Sequence, residues 1–114
     1  MSNCIFCRIV SGEIPSKMVY QDEQCLAFDD VNPQAPVHVL VIPRVHLESL
    51  QKFQPSDTDL MAALLQGCCE VARLKGVVDS GYRVVANTGA AAGQTVFHMH
   101  FHVLGGRSFA WPPG

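Results

Sequence analysis

Polar and apolar positions change period along this chain, and each change marks a new element. In "IFCRIV" the apolar residues Ile5, Phe6, Ile9 and Val10 stand at i, i+1, i+4 and i+5. That spacing predicts a short amphipathic helix, which "SGEIP" ends. "SKMVYQDEQCLAFDD" predicts two short strands about the polar turn "QDEQ". "PQAPVHVLVIPR" carries an unbroken apolar run between prolines, and its length and β-branched content predict a buried strand. "PSDTDLMAALLQGCCEVARLKG" predicts the one long helix, with Ser56 or Asp57 as its cap and Gly76 as its stop. Leu60, Leu64, Cys68 and Val71 form its apolar stripe, and Met61, Leu65 and Ala72 widen it. "SGYRVVANTG" and "TVFHMHFHV" predict two further strands joined by "TGAAAGQ". Strands, one main helix, then strands again describe an α+β domain on an antiparallel sheet.

Composition narrows this picture. The 114 residues suit one domain with a modest core, 48% of them apolar and only 16% charged. So little charge on a short chain suits burial against a second copy, as does the wide helical stripe. A net charge of −2, with basic residues standing singly, argues against nucleic acid or an anionic membrane as a partner. Five cysteines cannot all pair within the chain. The start, "MSNCIFCRIVSGEIP", lacks the cationic and apolar regions of a secretion signal, and no apolar run is long enough to span a bilayer. The expectation is a cytoplasmic protein with reduced thiols.

The last predicted strand holds the chemistry. His98, His100 and His102 alternate with Phe97, Met99, Phe101 and Val103. On a strand, residues two apart share a face, so three imidazoles stand together above an apolar, buried side. That arrangement suits a metal site, a nucleophilic imidazole tuned by its neighbours, or a plain polar face. The preceding "NTGAAAGQT" offers small residues that let a ligand approach backbone N–H groups, with Asn87, Gln94 and Thr95 as neutral donors. Imidazoles beside neutral donors suit an anion whose charge changes in reaction, above all a phosphoryl group.

"HMHFHVL", residues 98–104, resembles the His-x-His-x-His-x-x signature of the histidine triad (HIT) superfamily. "FCRIVSGEIPSKMVYQDEQCLAFDDVNPQAPVHVLVIPRVHLESL", "GYRVVANTGAAAGQTVFHMHFHVLGGR" and "WPPG" extend the likeness to its Hint branch over nearly the whole chain. The resemblance implies one HIT domain over residues 1–114, with a tail at 105–114 and sheets joined across a homodimer. It implies hydrolysis of the P–N bond of purine nucleoside 5′-phosphoramidates, including aminoacyl and lysyl adenylates. His100 would be the nucleophile, with His98, His102, His38 and Thr95 completing the catalytic set. Thr95 stands where many relatives carry serine. The implied nucleotide-binding set is Ile5, Phe6, Ile9, Phe28, Asp29, Asp30, Val31, Leu40, Asn87, Gly93, Gln94, Thr95, Val96, His100 and His102. Asp30 would hold the ribose hydroxyls and Gln94 the phosphoryl oxygens. Asp29 replaces a histidine of some relatives. An adaptor that binds purine nucleotides, with incidental hydrolysis, is the rival reading.

No cofactor is expected in catalysis. Cys4-x-x-Cys7 is a chelating spacing, and His46 and His98 are available to complete four ligands. By likeness to bacterial members that keep the cysteine pair, such a site would hold a structural zinc. The other cysteines, Cys25, Cys68 and Cys69, are expected as small apolar fillers. The resemblance sends the tail, with Trp111, towards the active site of a partner subunit.

Overall fold

The computed structural model describes residues 3–114. Helix α1 (Ile5–Val10) is followed by strands β1 (Met18–Gln21), β2 (Cys25–Asp29) and β3 (Val37–Pro43). Helix α2 (Thr58–Leu74) and strands β4 (Tyr82–Val85) and β5 (Phe101–Gly105) complete the order, with short 3-10 turns at Leu50–Lys52 and Ala90–Ala92. The strands form one antiparallel sheet in the order β1-β2-β3-β5-β4. The α+β expectation therefore holds, with one long helix and one short one.

The two faces of the sheet do different work, and side-chain parity assigns them. Cys25, Ala27, Val39, Val41, Met99 and Val103 pack under α2, against Leu64, Cys68 and Val71. Their alternate neighbours Leu26, Phe28, Leu40 and Ile42 pack against Phe6 of α1 on the other face. At Gly67 helix α2 rides close to the sheet; an added Cβ there would stand 3.2 Å from both the Cys25 Sγ and a Val41 methyl. Burial pushes the Cys25 and Cys68 thiols up to about 12, as expected of apolar fillers, whereas Cys69 is exposed.

Several local expectations need correction. Asp57 does occupy the N-cap of α2, yet its carboxylate accepts from the Gln54 N–H at 2.8 Å rather than from the helix. The last strand begins at Phe101, not at Thr95. Pro43 ends the facing β3 run and has no N–H to continue the ladder, while its carbonyl is taken by the His98 ring at 2.8 Å. Phe97, expected in the core, is 56% exposed. In the second row of the α2 stripe Ala72 is buried and Met61 half-buried, whereas Leu65 is 54% exposed.

Candidate active site

Four imidazoles meet on the α1 face. His38 projects from β3 and His102 from β5, while His100 and His98 lie on the segment leading into β5. Ring centroids of His100 and His102 are 4.9 Å apart, and those of His38 and His102 5.1 Å. Although only His102 of the three alternating histidines lies within the ladder, the alternation that the sequence suggested survives. His98 and His100 are buried, and so is Met99 between them on the α2 side.

Hydrogen bonds settle which nitrogen of each ring carries hydrogen. The His100 Nδ1–H donates to the His98 carbonyl at 2.8 Å, which leaves His100 Nε2 with a lone pair. The Gln34 N–H donates to His38 Nδ1 at 2.9 Å, so His38 carries hydrogen on Nε2. That Nε2–H donates to His102 Nδ1 at 2.9 Å and stands 3.3 Å from the Asp30 carboxylate. His102 in turn carries its hydrogen on Nε2. The site thus presents one imidazole lone pair and one imidazole N–H side by side.

Burial holds all of these rings neutral. Desolvation pushes His38 and His100 below the ordinary imidazole range, against the pull of the Asp30 carboxylate and, at His100, of the hydrogen bond to the His98 carbonyl. His102 is driven down to about 4 by burial and by its neighbours His100 and His38. A depressed pKa has a definite sign in stability. Below about pH 6.5 the unfolded chain takes up protons that the folded rings refuse, so stability falls with pH. For His102 the loss runs down to about pH 4. Urea midpoints should therefore drop between pH 7 and pH 5, and a His102→Asn variant should show a shallower drop.

The other expected site residues divide. Phe6, Phe28 and Leu40 line the apolar wall beside the imidazoles, with Ile9 and Val96 packed partly against them. The Phe6 ring meets Phe28, His98 and His100 edge-on at 5.6, 5.8 and 5.1 Å. Asp30 stands beside His38, its other carboxylate oxygen accepting from the Asn32 N–H at 2.8 Å. Asp29 goes elsewhere: it faces α2 and pairs with Lys75 at 3.0 Å. Val31 is 99% exposed, and Ile5 and Thr95 are also exposed. Gln94 is buried and engaged inside its loop, accepting from the Gly89 N–H and donating to the carbonyls of Glu48 and Val96. Gly93, at φ 88°, closes the turn before it. Asn87 lines an open cavity of about 390 Å³ with His38, His102, Arg83, Arg107 and the tail. There the tail lies over its own sheet, the Arg83 guanidinium donating to the Ala110 carbonyl at 3.0 Å and the Phe109 ring lying beside Arg83 and Arg107.

A second cluster lies behind His98. Cys4 caps α1 and Cys7 lies in its first turn; their sulfurs, His46 Nδ1 and His98 Nδ1 all fall within 4.8 Å of one another. Cys4 Sγ and Cys7 Sγ stand 3.3 and 3.5 Å from His98 Nδ1, and Cys7 Sγ 3.4 Å from His46 Nδ1. His98 Nε2–H donates to Pro43, so its Nδ1 lone pair faces the sulfurs. Two sulfurs and two imidazole nitrogens converging at one point, with one ring oriented by an outer carbonyl, are the donor set of a closed zinc site.

The HIT domain family matches residues 11–109. The chain belongs to the HIT family. This HIT protein is 54% identical over 110 residues to an uncharacterised HIT-like protein of Synechocystis, covering 96% of each chain. It is 48% identical to a 14 kDa zinc-binding protein of Zea mays, over 99% of this chain and 89% of that one. A HIT family hydrolase of Legionella pneumophila superimposes with a TM-score of 0.95 at 44% identity, covering 98% of this chain and all of the other. A HIT family hydrolase of Clostridium thermocellum superimposes with a TM-score of 0.93 at 42% identity, covering 96% of each chain.

Reading the sequence alone missed two of the backbone groups that set the tautomers, the N–H of Gln34 and the carbonyl of Pro43. Backbone groups leave no residue-type signature. The arginines of the cavity were missed too, since single basic residues stood out nowhere.

Proposed function

We propose that this HIT protein hydrolyses purine nucleoside 5′-phosphoramidates through a nucleotidyl-His100 intermediate. The observation that carries the reading is the hydrogen bond from His100 Nδ1 to the His98 carbonyl at 2.8 Å. It holds a neutral ring with its Nε2 lone pair available to attack phosphorus. As the new N–P bond forms, the P–N bond of the substrate breaks and the leaving nitrogen takes up a proton from solvent, which the attacking water gives back in the second step. His102, whose Nε2 carries hydrogen, is the donor to the phosphoryl oxygens or the leaving nitrogen, and His38 keeps it in that tautomer. Water then cleaves the nucleotidyl-imidazole bond, releasing the nucleoside monophosphate and restoring His100. The apolar wall of Phe6, Phe28 and Leu40 suits a purine held by its faces, and the Asp30 carboxylate suits the vicinal ribose hydroxyls.

We further infer that residues 1–114 act as one domain in the cytoplasm. Among the described residues no helix is long and apolar enough to cross a membrane. A second copy would cover the open edge of β4, with Val84, and the exposed Leu65 on α2. The cluster of Cys4, Cys7, His46 and His98 would hold a zinc ion that ties α1 to the sheet, a role the zinc-binding Zea mays relative supports. Mixing the protein with adenosine 5′-phosphoramidate carrying labelled phosphorus, then quenching within one turnover, tests the main reading. Label on His100 is the expected result. Tight nucleotide binding with no label on the protein would favour the adaptor instead.

A further inference from the structure

We propose that His98 is a positioning residue for the nucleophile, and that filling of the four-donor cluster by a zinc ion sets the competence of His100. The inference rests on the reading of His100 as nucleophile. His98 belongs to both sites at once. Its fully buried ring touches the sulfurs of Cys4 and Cys7 through Nδ1, while its own backbone carbonyl receives the His100 Nδ1–H.

The location of that carbonyl gives the coupling its force. Residues 98–100 precede β5, so no ladder hydrogen bond of the strand fixes the peptide that orients His100. Three contacts do so instead: the His98 ring on Pro43, the same ring against the sulfurs, and the Met99 N–H donating to the Leu47 carbonyl at 2.6 Å. The sulfurs sit on α1, a helix of six residues, too short to hold itself in water. His46 is exposed and reaches the cluster from the loop after β3. An ion shared by the four donors would cross-link α1, that loop and the His98 segment. Phe6 adds a second path, since it lies between the two cysteines in sequence and packs edge-on against both His98 and His100. A purely architectural zinc would tie α1 down and leave the His100 ring unaffected. The shared residue predicts otherwise.

The test compares the full-length protein, labelled with ¹⁵N-histidine, loaded with one equivalent of zinc and stripped by a chelator. Zinc content is read by elemental analysis and folding by circular dichroism. The His100 Nδ1–H resonance should be sharp with zinc and broadened by exchange without it. The single-turnover rate constant for forming the nucleotidyl adduct should fall at least tenfold on stripping, while affinity for AMP stays within threefold. Cys7→Ser should reproduce the stripped behaviour with zinc present in the medium, and Cys7→His, which keeps a ligand, should restore both signal and rate. An unchanged His100 resonance and rate constant in folded, zinc-free protein would overturn the proposal. Failure of the zinc-loaded wild type to form any adduct would instead overturn the functional reading, and the resonance comparison would still decide the role of His98.

Discussion

Replacing His100 by alanine should reduce turnover of adenosine phosphoramidate by about 10⁴-fold or more while AMP binding stays within about tenfold. The asymmetry follows from where the ring sits. His100 supplies the lone pair that makes the new bond to phosphorus, and no neighbouring imidazole is placed to substitute. His98 has its Nδ1 turned to the sulfurs and its Nε2 on Pro43, while His102 Nδ1 is occupied by His38. The purine wall, by contrast, rests on Phe6, Phe28 and Leu40, and only Phe6 loses a ring contact in the variant. Isothermal titration with AMP beside steady-state kinetics checks both halves. Residual turnover within a hundredfold of wild type would remove His100 from the nucleophile's role.

The second large effect lies on the opposite face. Leu64 is fully buried at the centre of α2, packed among Cys25, Val41, Val71 and Met99. Truncation to alanine removes its transfer energy and leaves a cavity that a sheet on one side and a helix backbone on the other cannot close. The expected cost is about 2–5 kcal/mol, enough to lower the Tm by roughly 10 °C or more. Urea unfolding should show a lower midpoint at an unchanged slope. A loss under about 1 kcal/mol would mean that α2 does not close the core as described. Because Leu64 packs in the cluster under α2, on the sheet face opposite the imidazoles, the folded fraction should keep the wild-type KM.

Much of this architecture was legible in the residues. The periods of "IFCRIV", "VHVLVIP" and "LMAALLQGCCEVARL" announced a short helix, a buried strand and a long helix, since each element buries one face and its spacing must repeat accordingly. The triad was legible for the same reason. What escaped was decided by tertiary context. The strand expected from Thr95 starts six residues later, because Pro43 cannot extend the ladder and the His98 ring takes its carbonyl. Asp29 was expected by resemblance in the nucleotide-binding set, yet it ends β2 on the same face as Cys25 and Ala27, and parity sends it to Lys75. Gln94 looked like a free donor beside the phosphate, but the glycine-rich loop needs its amide as an internal brace.

Parity also bears on how this fold can change through descent. Point substitutions on the α1 side can retune chemistry while the α2 side keeps the molecule folded, so the two sets of positions can drift separately. Gain or loss of a single codon within residues 98–105 or 37–43 has no such freedom. It would turn imidazoles into the hydrophobic interior and carry Val39, Val41 and Val103 out to the substrate. Lineages built on this sheet are therefore bound to conserve the length of these two stretches even at positions whose residue identity drifts.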